Sequence, residues 1–329
     1  MSRGRDSSTP GRPGRLDNPH RPDNRHRLDN PDQLDDPDRL GNPHRLDNPD
    51  RLGRPRLHLR RTDSTNARAR ALALAGAPHG TLVTAAEQTA GRGRQGRRWS
   101  APAGSSLLVS LVLRERHLGS AESRLDETAG HSDCRSPALL PLAAAVAVCD
   151  VAGADARIKW PNDIVFERSG AGTQPLLAKV AGILVEARPQ EGWAVLGIGL
   201  NAALRIADLP AELHATAATL GLSRDALEPL LDRLLGALER RLGEGAAETL
   251  AAWRARDALR GREIAWTTGG ARADGHGRAE AHGRADEHGQ ADGIGRADGI
   301  DNAGRLIVAL PDGGCTALGA GEVHLAAAG

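Results

Sequence analysis

The chain has 329 residues, enough for one large or two smaller domains, and its formal net charge is only +1. This balance provides no global attraction toward nucleic acid or membranes, so any anion site must be local. The three cysteines, Cys134, Cys149 and Cys315, are far apart, which argues against a disulfide framework or zinc site and suits a cytoplasmic protein. The sequence shows neither a signal-peptide core nor an apolar stretch near the ~18 residues of a spanning helix, so we expect no membrane partner.

Two hexapeptide repeats flank the central part of the chain. Residues 15–56 repeat units such as RLDNPH, and their frequent prolines and sparse leucines predict a disordered tail over residues 1–56. The alternative for this tail is a weak interaction arm. The second repeat, with units such as RADGHG, starts at Arg272 and carries His276, His282 and His288. Because flexible glycine-rich repeats lack the fixed geometry of a metal site, we predict a loop insertion over residues 271–301.

Between the repeats, apolar periodicity predicts a series of strands and helices. The predicted strands lie at residues 81–86, 106–113, 157–160, 164–166, 180–186 and 193–200. The predicted helices lie at residues 66–75, capped by Ser64 or Thr65, and at 139–152, 227–242 and 247–258, with a polar insertion at 114–137. Strands at 263–267, 305–310 and 316–318 then suggest a small β-barrel-like module. This order predicts an α+β fold in preference to a doubly wound sheet.

A glycine- and arginine-rich segment, GRGRQGRRW at residues 91–99, is the most informative motif. Glycines allow a backbone to approach a ligand closely, and arginines bind carboxylates and phosphates. Trp99 adds a flat apolar face for a nucleotide base. An isolated segment of this kind could also be a solvated loop or a nonenzymatic RNA-binding element. The near-zero net charge and the near absence of Phe and Tyr argue against RNA binding.

Further motifs surround this segment in a fixed order: DSTN at residues 63–66, Gln88, KWPND at 159–163, KVAGILVE at 179–186 and GIGLN at 197–201. Together they resemble the catalytic domain of biotin protein ligases, from about residue 56 to residue 259. The resemblance implies a mixed, mostly antiparallel sheet with helices, like that of class II aminoacyl-tRNA synthetases, plus a small C-terminal SH3-like β-barrel. The implied domains are a tail at 1–56, a catalytic domain at 57–259 and a C-terminal domain at 260–329.

The resemblance also implies a reaction and a set of site residues. An ATP-dependent ligase of this family forms biotinyl-5′-AMP and passes biotin to a lysine of the biotin carboxyl carrier domain of an acyl-CoA carboxylase. Arg94 and Lys179 would be catalytic. The biotin-binding residues would be Ser64, Thr65, Asn66, Gln88, Arg92, Gly93, Arg94, Lys179 and Gly182. The ATP-binding residues would be Arg97, Trp99, Lys159, Asn162 and Asn201, and Asp163 would help to hold Mg²⁺.

Local cations suit this chemistry, because a carboxylate must approach the ATP α-phosphate. At ~4 Å and an effective dielectric constant near 20, two unit charges repel by about 4 kcal/mol. ATP, biotin and Mg²⁺ would be substrates and activator, with no tightly bound prosthetic group.

Some members of the family carry an N-terminal helix-turn-helix and repress a biotin operon, whereas this chain has a proline-rich repeat there. The resemblance therefore implies a ligase without specific DNA binding, active as a monomer or weak homodimer. A basic residue that often follows the C-terminal Gly-Glu-Val pattern is missing after Gly321-Glu322-Val323. A lipoate–protein ligase, which shares the fold and the adenylate chemistry, is the nearest alternative.

Overall fold

The computed structural model describes residues 51–114, 139–169, 175–267 and 291–326. The predictions for residues 1–50, for most of the polar insertion and for the three repeat histidines lie outside the described residues, as does Cys134. Within the described residues, no helix has the length and apolarity needed to cross a membrane.

A seven-stranded sheet forms the centre of the fold. Its strands are β1 (Arg56–Leu59), β2 (Leu82–Ala85), β3 (Ser106–Arg114), β4 (Arg157–Lys159), β5 (Asp163–Arg168), β6 (Leu176–Arg188) and β7 (Trp193–Asn201). They lie in the order β1-β2-β3-β7-β6-β5-β4. Only β1 and β2 pair in parallel, and the other neighbours are antiparallel. The predicted α+β class with a mixed, mostly antiparallel sheet is confirmed.

Helices cover the two faces of this sheet. They are α1 (Thr65–Leu74), α2 (Leu140–Ala152), α3 (Leu227–Leu242) and α4 (Ala246–Arg254). Helix α2 is apolar almost all round because it contacts the sheet on one side and α3 and α4 on the other. Helix α1 packs on the opposite face against β2, β3 and β7. Its small core includes Ala69, Val112 and Val195, so much of that face remains available for a cleft.

A second, five-stranded antiparallel sheet follows. Its strands are β8 (Glu263–Thr267), β9 (Gly293–Ile300), β10 (Leu306–Ala309), β11 (Cys315–Leu318) and β12 (Glu322–Leu325), in the order β11-β10-β9-β8-β12. The described residues form an open sheet with β11 and β12 at its edges, so the closed SH3-like barrel is not confirmed.

The bounds predicted for the two repeat-containing segments differ from the structure. The prediction of a loop insertion over 271–301 is wrong at its end, because the last two hexapeptides contain β9 at the centre of the second sheet. The predicted tail over 1–56 also ends too late. Leu52 is only 4% exposed, its N–H donates to Glu239 at 2.8 Å, and the Gly53 N–H donates to the Gly80 carbonyl at 2.8 Å. Leu52 and Gly53 therefore belong to the packed central part of the fold.

Candidate active site

A cleft opens on the α1 face of the large sheet and collects nearly all of the residues predicted for the site. Its lining includes Ser64, Thr65, Asn66, Gln88, Arg92, Gly93, Arg94, Arg97, Trp99, Lys159, Asn162, Asp163, Lys179 and Gly182. These residues come from the start of α1, the loop between β2 and β3, the β4–β5 turn, and β6. Segments that are far apart in the sequence therefore converge on one cleft.

Glycines make the floor of the cleft. Gly199 of β7 pairs with Gly182 of β6, and Gly197 lies two residues before Gly199 on the same face, as the alternation of strand side chains requires. A Cβ atom at Gly199 would lie 2.6 Å from Trp99 Cε2, and one at Gly182 would lie 3.1 Å from Trp99 Cζ3. The indole of Trp99 therefore lies directly on the strand backbone, which only glycine permits.

One end of the cleft is polar and neutral. The Gln88 Oε1 atom accepts a hydrogen bond from the Thr65 backbone N–H at 2.7 Å and lies 3.1 Å from Thr65 Oγ1. Ser64, 2% exposed, is the N-cap of α1, and its Oγ accepts from the Ala67 N–H. The helix cap and the cleft wall are thus built by the same motif.

Buried side chains stand behind this neutral end. The Asn66 Nδ2 group donates to Glu186 Oε2 at 3.0 Å, and Ser110 Oγ lies 2.6 Å from Asn66 Oδ1 and 2.9 Å from Thr65 Oγ1. A Cβ atom at Gly197 would overlap Asn66 Oδ1. Asn66 is thus held by the protein itself, with its amide already paired on both sides.

Cations gather at the other end of the cleft. Lys179 Nζ lies 2.7 Å from Asp163 Oδ1 and 5.5 Å from the centroid of the Trp99 ring. Burial lowers the pKa of Lys159; the Asp163 carboxylate opposes that shift, while the charge of Lys179 adds to it. Burial likewise lowers the pKa of Arg94. These two groups lose hydration on burial, and Asp163 offsets that loss only in part, so an incoming anion would be stabilised here.

The glycine-arginine loop also contacts the second sheet. Arg97 forms an ion pair with Glu322 of β12. His324 follows on the same face of that strand, 3.9 Å from Glu322, and its pKa is lowered by burial and by the nearby charges of Lys159 and Arg97. The Gly-Glu-Val pattern thus adjoins the cationic end, although its usual basic residue is missing.

The two asparagines assigned to ATP have different positions. Asn162 lines the cleft, and its Nδ2 group donates to the Ile183 carbonyl at 2.7 Å. Asn201 is 6% exposed and does not line the cleft. Its Nδ2 group donates to the Ala218 carbonyl at 3.0 Å, and Ser106 lies 3.4 Å from its Oδ1. The position of Asn201 gives no support to a direct contact with ATP.

The described residues contain no ready-made cluster of protein ligands for a metal ion. None of their His, Cys, Asp and Glu side chains form a group of three or more that could hold a metal, and Asp163 is already paired with Lys179. The arrangement makes Asp163 the counter-ion of Lys179 and gives no support to the prediction that it holds Mg²⁺.

The sequence analysis assigns no role to Ser110, Glu186 or Glu322. Ser110 is the one hydroxyl within the apolar run of β3, and Glu186 closes the KVAGILVE motif. A polar residue inside an otherwise apolar strand is a usable signal, because burial of a polar group demands a partner. No pattern in the sequence points from Glu322 to Arg97.

The chemical character of the cleft lining changes along the length of the cleft. Neutral hydrogen-bonding groups occupy one end, a glycine floor with an indole lies in the middle, and lysine and arginine side chains occupy the other end. This sequence of surfaces suits a ligand with a neutral polar head, an apolar middle and an anionic tail.

Comparisons with known proteins point to one family. The sequence model of the Biotin/lipoate A/B protein ligase family matches residues 58–201. The biotin–[acetyl-CoA-carboxylase] ligase of Paracoccus denitrificans is 36% identical over 228 residues, which cover 66% of this chain and 87% of that protein. The bifunctional ligase/repressor BirA of Bacillus subtilis is 37% identical over 164 residues, covering 48% of this chain and 43% of the relative.

A solved structure shows the same fold. The biotin protein ligase from Aquifex aeolicus, in complex with biotin and ATP, superposes with a TM-score of 0.58 at 21% sequence identity, covering 82% of this chain and 99% of that chain. The chain spans less than half the length of the two Bacillus ligase/repressors that it matches, 43% in each case, but most of the Paracoccus ligase. By this match to nearly the full length of a relative, the chain belongs to the biotin protein ligase family.

Proposed function

We propose that this chain is an ATP-dependent biotin protein ligase. In the first step, a carboxylate oxygen of biotin attacks the α-phosphorus of ATP, giving biotinyl-5′-AMP and pyrophosphate. In the second, a lysine amine of a biotin carboxyl carrier domain attacks the acyl carbon, forming the amide and releasing AMP and a proton. The observation that carries this proposal is the gradient along the cleft, from the neutral pair Thr65 and Gln88 to the cations around Lys179.

The catalytic work falls to charge cancellation and positioning. Lys179 and Arg94 offset the repulsion between the carboxylate and the α-phosphate, while the Trp99 indole offers a stacking surface for the adenine. The segment that contains Arg92 and Gly93 would cover the ligand. ATP enters as its magnesium complex, and no residue of this chain is assigned to hold the ion.

A lipoate–protein ligase is the second candidate, because the matching family model includes both activities. The neutral end of the cleft favours biotin. A cyclic urea offers two N–H donors and one carbonyl acceptor to groups such as Thr65 and Gln88, whereas the dithiolane of lipoate has no hydrogen-bond donor.

Pyrophosphate exchange tests the proposal directly. The purified chain should catalyse biotin-dependent exchange of labelled pyrophosphate into ATP, with lipoate giving far less exchange at equal concentration. Adding a biotin carboxyl carrier domain should then yield a carrier heavier by one biotinyl group. Exchange with lipoate alone would support the second candidate, and no exchange with either acid would refute ligase activity.

A further inference from the structure

We infer that Glu186 is a specificity-determining positioning residue, which sets the hydrogen-bonding polarity of the neutral end of the cleft through Asn66, Ser110 and Thr65. This inference rests on the proposed function and concerns the biotin side of the site. Glu186 has no role among the motif residues assigned to the ligand, and its side chain reaches Thr65 only through two other residues.

A chain of hydrogen bonds, here called the relay, runs from Glu186 through Asn66 and Ser110 to Thr65. It begins at a carboxylate, which can only accept hydrogen bonds. Glu186 Oε2 lies 3.0 Å from the amide of Asn66, and Arg70 lies 3.7 Å from Oε1. Because a carboxylate accepts, the Asn66 nitrogen must face Glu186 and the Asn66 oxygen must face Ser110. The missing side chain at Gly197 leaves space for that oxygen.

Ser110 transmits this orientation. Its Oγ lies 2.6 Å from Asn66 Oδ1 and 2.9 Å from Thr65 Oγ1, and the residue is fully buried. A serine hydroxyl has a single proton. That proton must go to the Asn66 oxygen, since two unprotonated oxygens 2.6 Å apart would repel each other. Ser110 can then only accept from Thr65.

The Thr65 proton is then used within the protein, on Ser110 Oγ at 2.9 Å or on Gln88 Oε1 at 3.1 Å. Because Ser110 does not donate to Thr65, a lone pair of Thr65 Oγ1 is available to a ligand N–H. Gln88 is oriented in a similar way, because its Oε1 accepts the Thr65 backbone N–H at 2.7 Å and its Nε2 is left to donate. The cleft therefore presents an acceptor beside a donor. This pair complements an N–H next to a carbonyl, the edge of a cyclic urea.

Replacement of the carboxylate tests the relay. In Glu186→Gln, the introduced amide can turn either its oxygen or its nitrogen toward Asn66, so the orientation of Asn66 is no longer set. We expect the KM for biotin in pyrophosphate exchange to rise roughly fivefold to tenfold, the effect of one hydrogen bond, with the KM for ATP changed less than about twofold. Glu167→Gln, an exposed carboxylate of the same sheet paired with Arg262, is the matched control.

A reciprocal exchange gives a sharper readout than loss alone. Asn66→Asp places two carboxylates together and should impair biotin binding more than Glu186→Gln. Combined with Glu186→Gln, the aspartate accepts from the new amide and still accepts from Ser110. The double variant should therefore recover a KM for biotin within about threefold of wild type, a rescue that general loss of packing cannot produce.

Ser110→Ala provides an independent variant if the substitutions at Glu186 impair folding, and it should raise the KM for biotin by a similar factor. The inference is overturned if Glu186→Gln matches the control, if the KM for ATP rises in parallel, or if the double variant is no better than either single one. Wild-type chain that exchanges no pyrophosphate with biotin would instead refute the proposed function.

Discussion

Substitution of Lys179 by glutamine should nearly abolish formation of the adenylate while leaving the fold intact. The backbone at this position is held independently of the side chain, since the Lys179 N–H donates to the Thr216 carbonyl at 2.6 Å and its carbonyl accepts from Ala218 at 2.7 Å. The side chain, about one third exposed, reaches the cleft and pairs with Asp163. Glutamine keeps much of the length but removes the charge that faces the carboxylate and the phosphate.

The size of the effect follows from that lost charge. Removing one preorganised contact to developing charge costs about 3–4 kcal/mol, or a factor of roughly 10²–10³ in rate, which is close to the ~4 kcal/mol for two unit charges at ~4 Å and an effective dielectric constant near 20. Single-turnover quench experiments measure biotinyl-AMP formation, and a parallel assay measures transfer from preformed biotinyl-AMP to the carrier. Transfer should be impaired less than adenylation.

Arg168→Gln is the matched control, because Arg168 is exposed on β5 of the same sheet and does not line the cleft. It should adenylate biotin at the wild-type rate. A Lys179→Gln variant within about threefold of wild type, less than 1 kcal/mol of barrier, would show that Lys179 is a surface residue and that the charge argument is wrong.

Three other perturbations test separate parts of the structure. Trp99→Ala should weaken the binding of ATP more than the binding of biotin, with a loss for ATP of roughly 1–3 kcal/mol from the missing stacking surface. Titration calorimetry that shows the reverse order would contradict the assignment of Trp99 to adenine. Deletion of residues 1–50 should leave the melting temperature unchanged. Deletion of residues 1–56 should lower the free energy of unfolding by about 2–5 kcal/mol, because Leu52 is buried. Equal melting temperatures for the two deletion variants would contradict this. Burial alone would raise the pKa of Asp150, but hydrogen bonds from Arg241 and Arg240 outweigh it and the pKa is lowered below the ordinary 3.8. Its ion pairs therefore contribute stability above about pH 4 that is lost as the pH falls through the lower, folded-state pKa. Asp150→Asn should lower the free energy of unfolding by about 1.5–3 kcal/mol at pH 7. Denaturant titrations should show this difference from wild type shrink as the pH falls through the folded-state pKa of Asp150.

The helices and central strands were predictable because apolar periodicity survives in a single sequence. The pattern of leucines predicted α3 at Leu227–Leu242 with its observed bounds, and the alternation around glycines predicted β7. Strand β9 was missed because its sequence continues a repeat whose earlier units have few apolar residues. A hexapeptide can join a sheet only where neighbouring strands offer hydrogen bonds and a core, and those neighbours are distant in the chain.

The motifs by themselves determined the family and the chemical character of the site: glycine floor, cations and a neutral polar pair. Tertiary structure decided which side chains meet. Asn201 belongs to a motif that matches the family, yet its side-chain amide donates a hydrogen bond to the Ala218 carbonyl, in the segment that follows β7. Glu186 has no assigned role in its motif, yet it accepts a hydrogen bond from the Asn66 amide, which lies 120 residues earlier in the chain. Residue type fixes what a side chain can donate or accept, but only the packed sheet brings the partner within hydrogen-bonding distance.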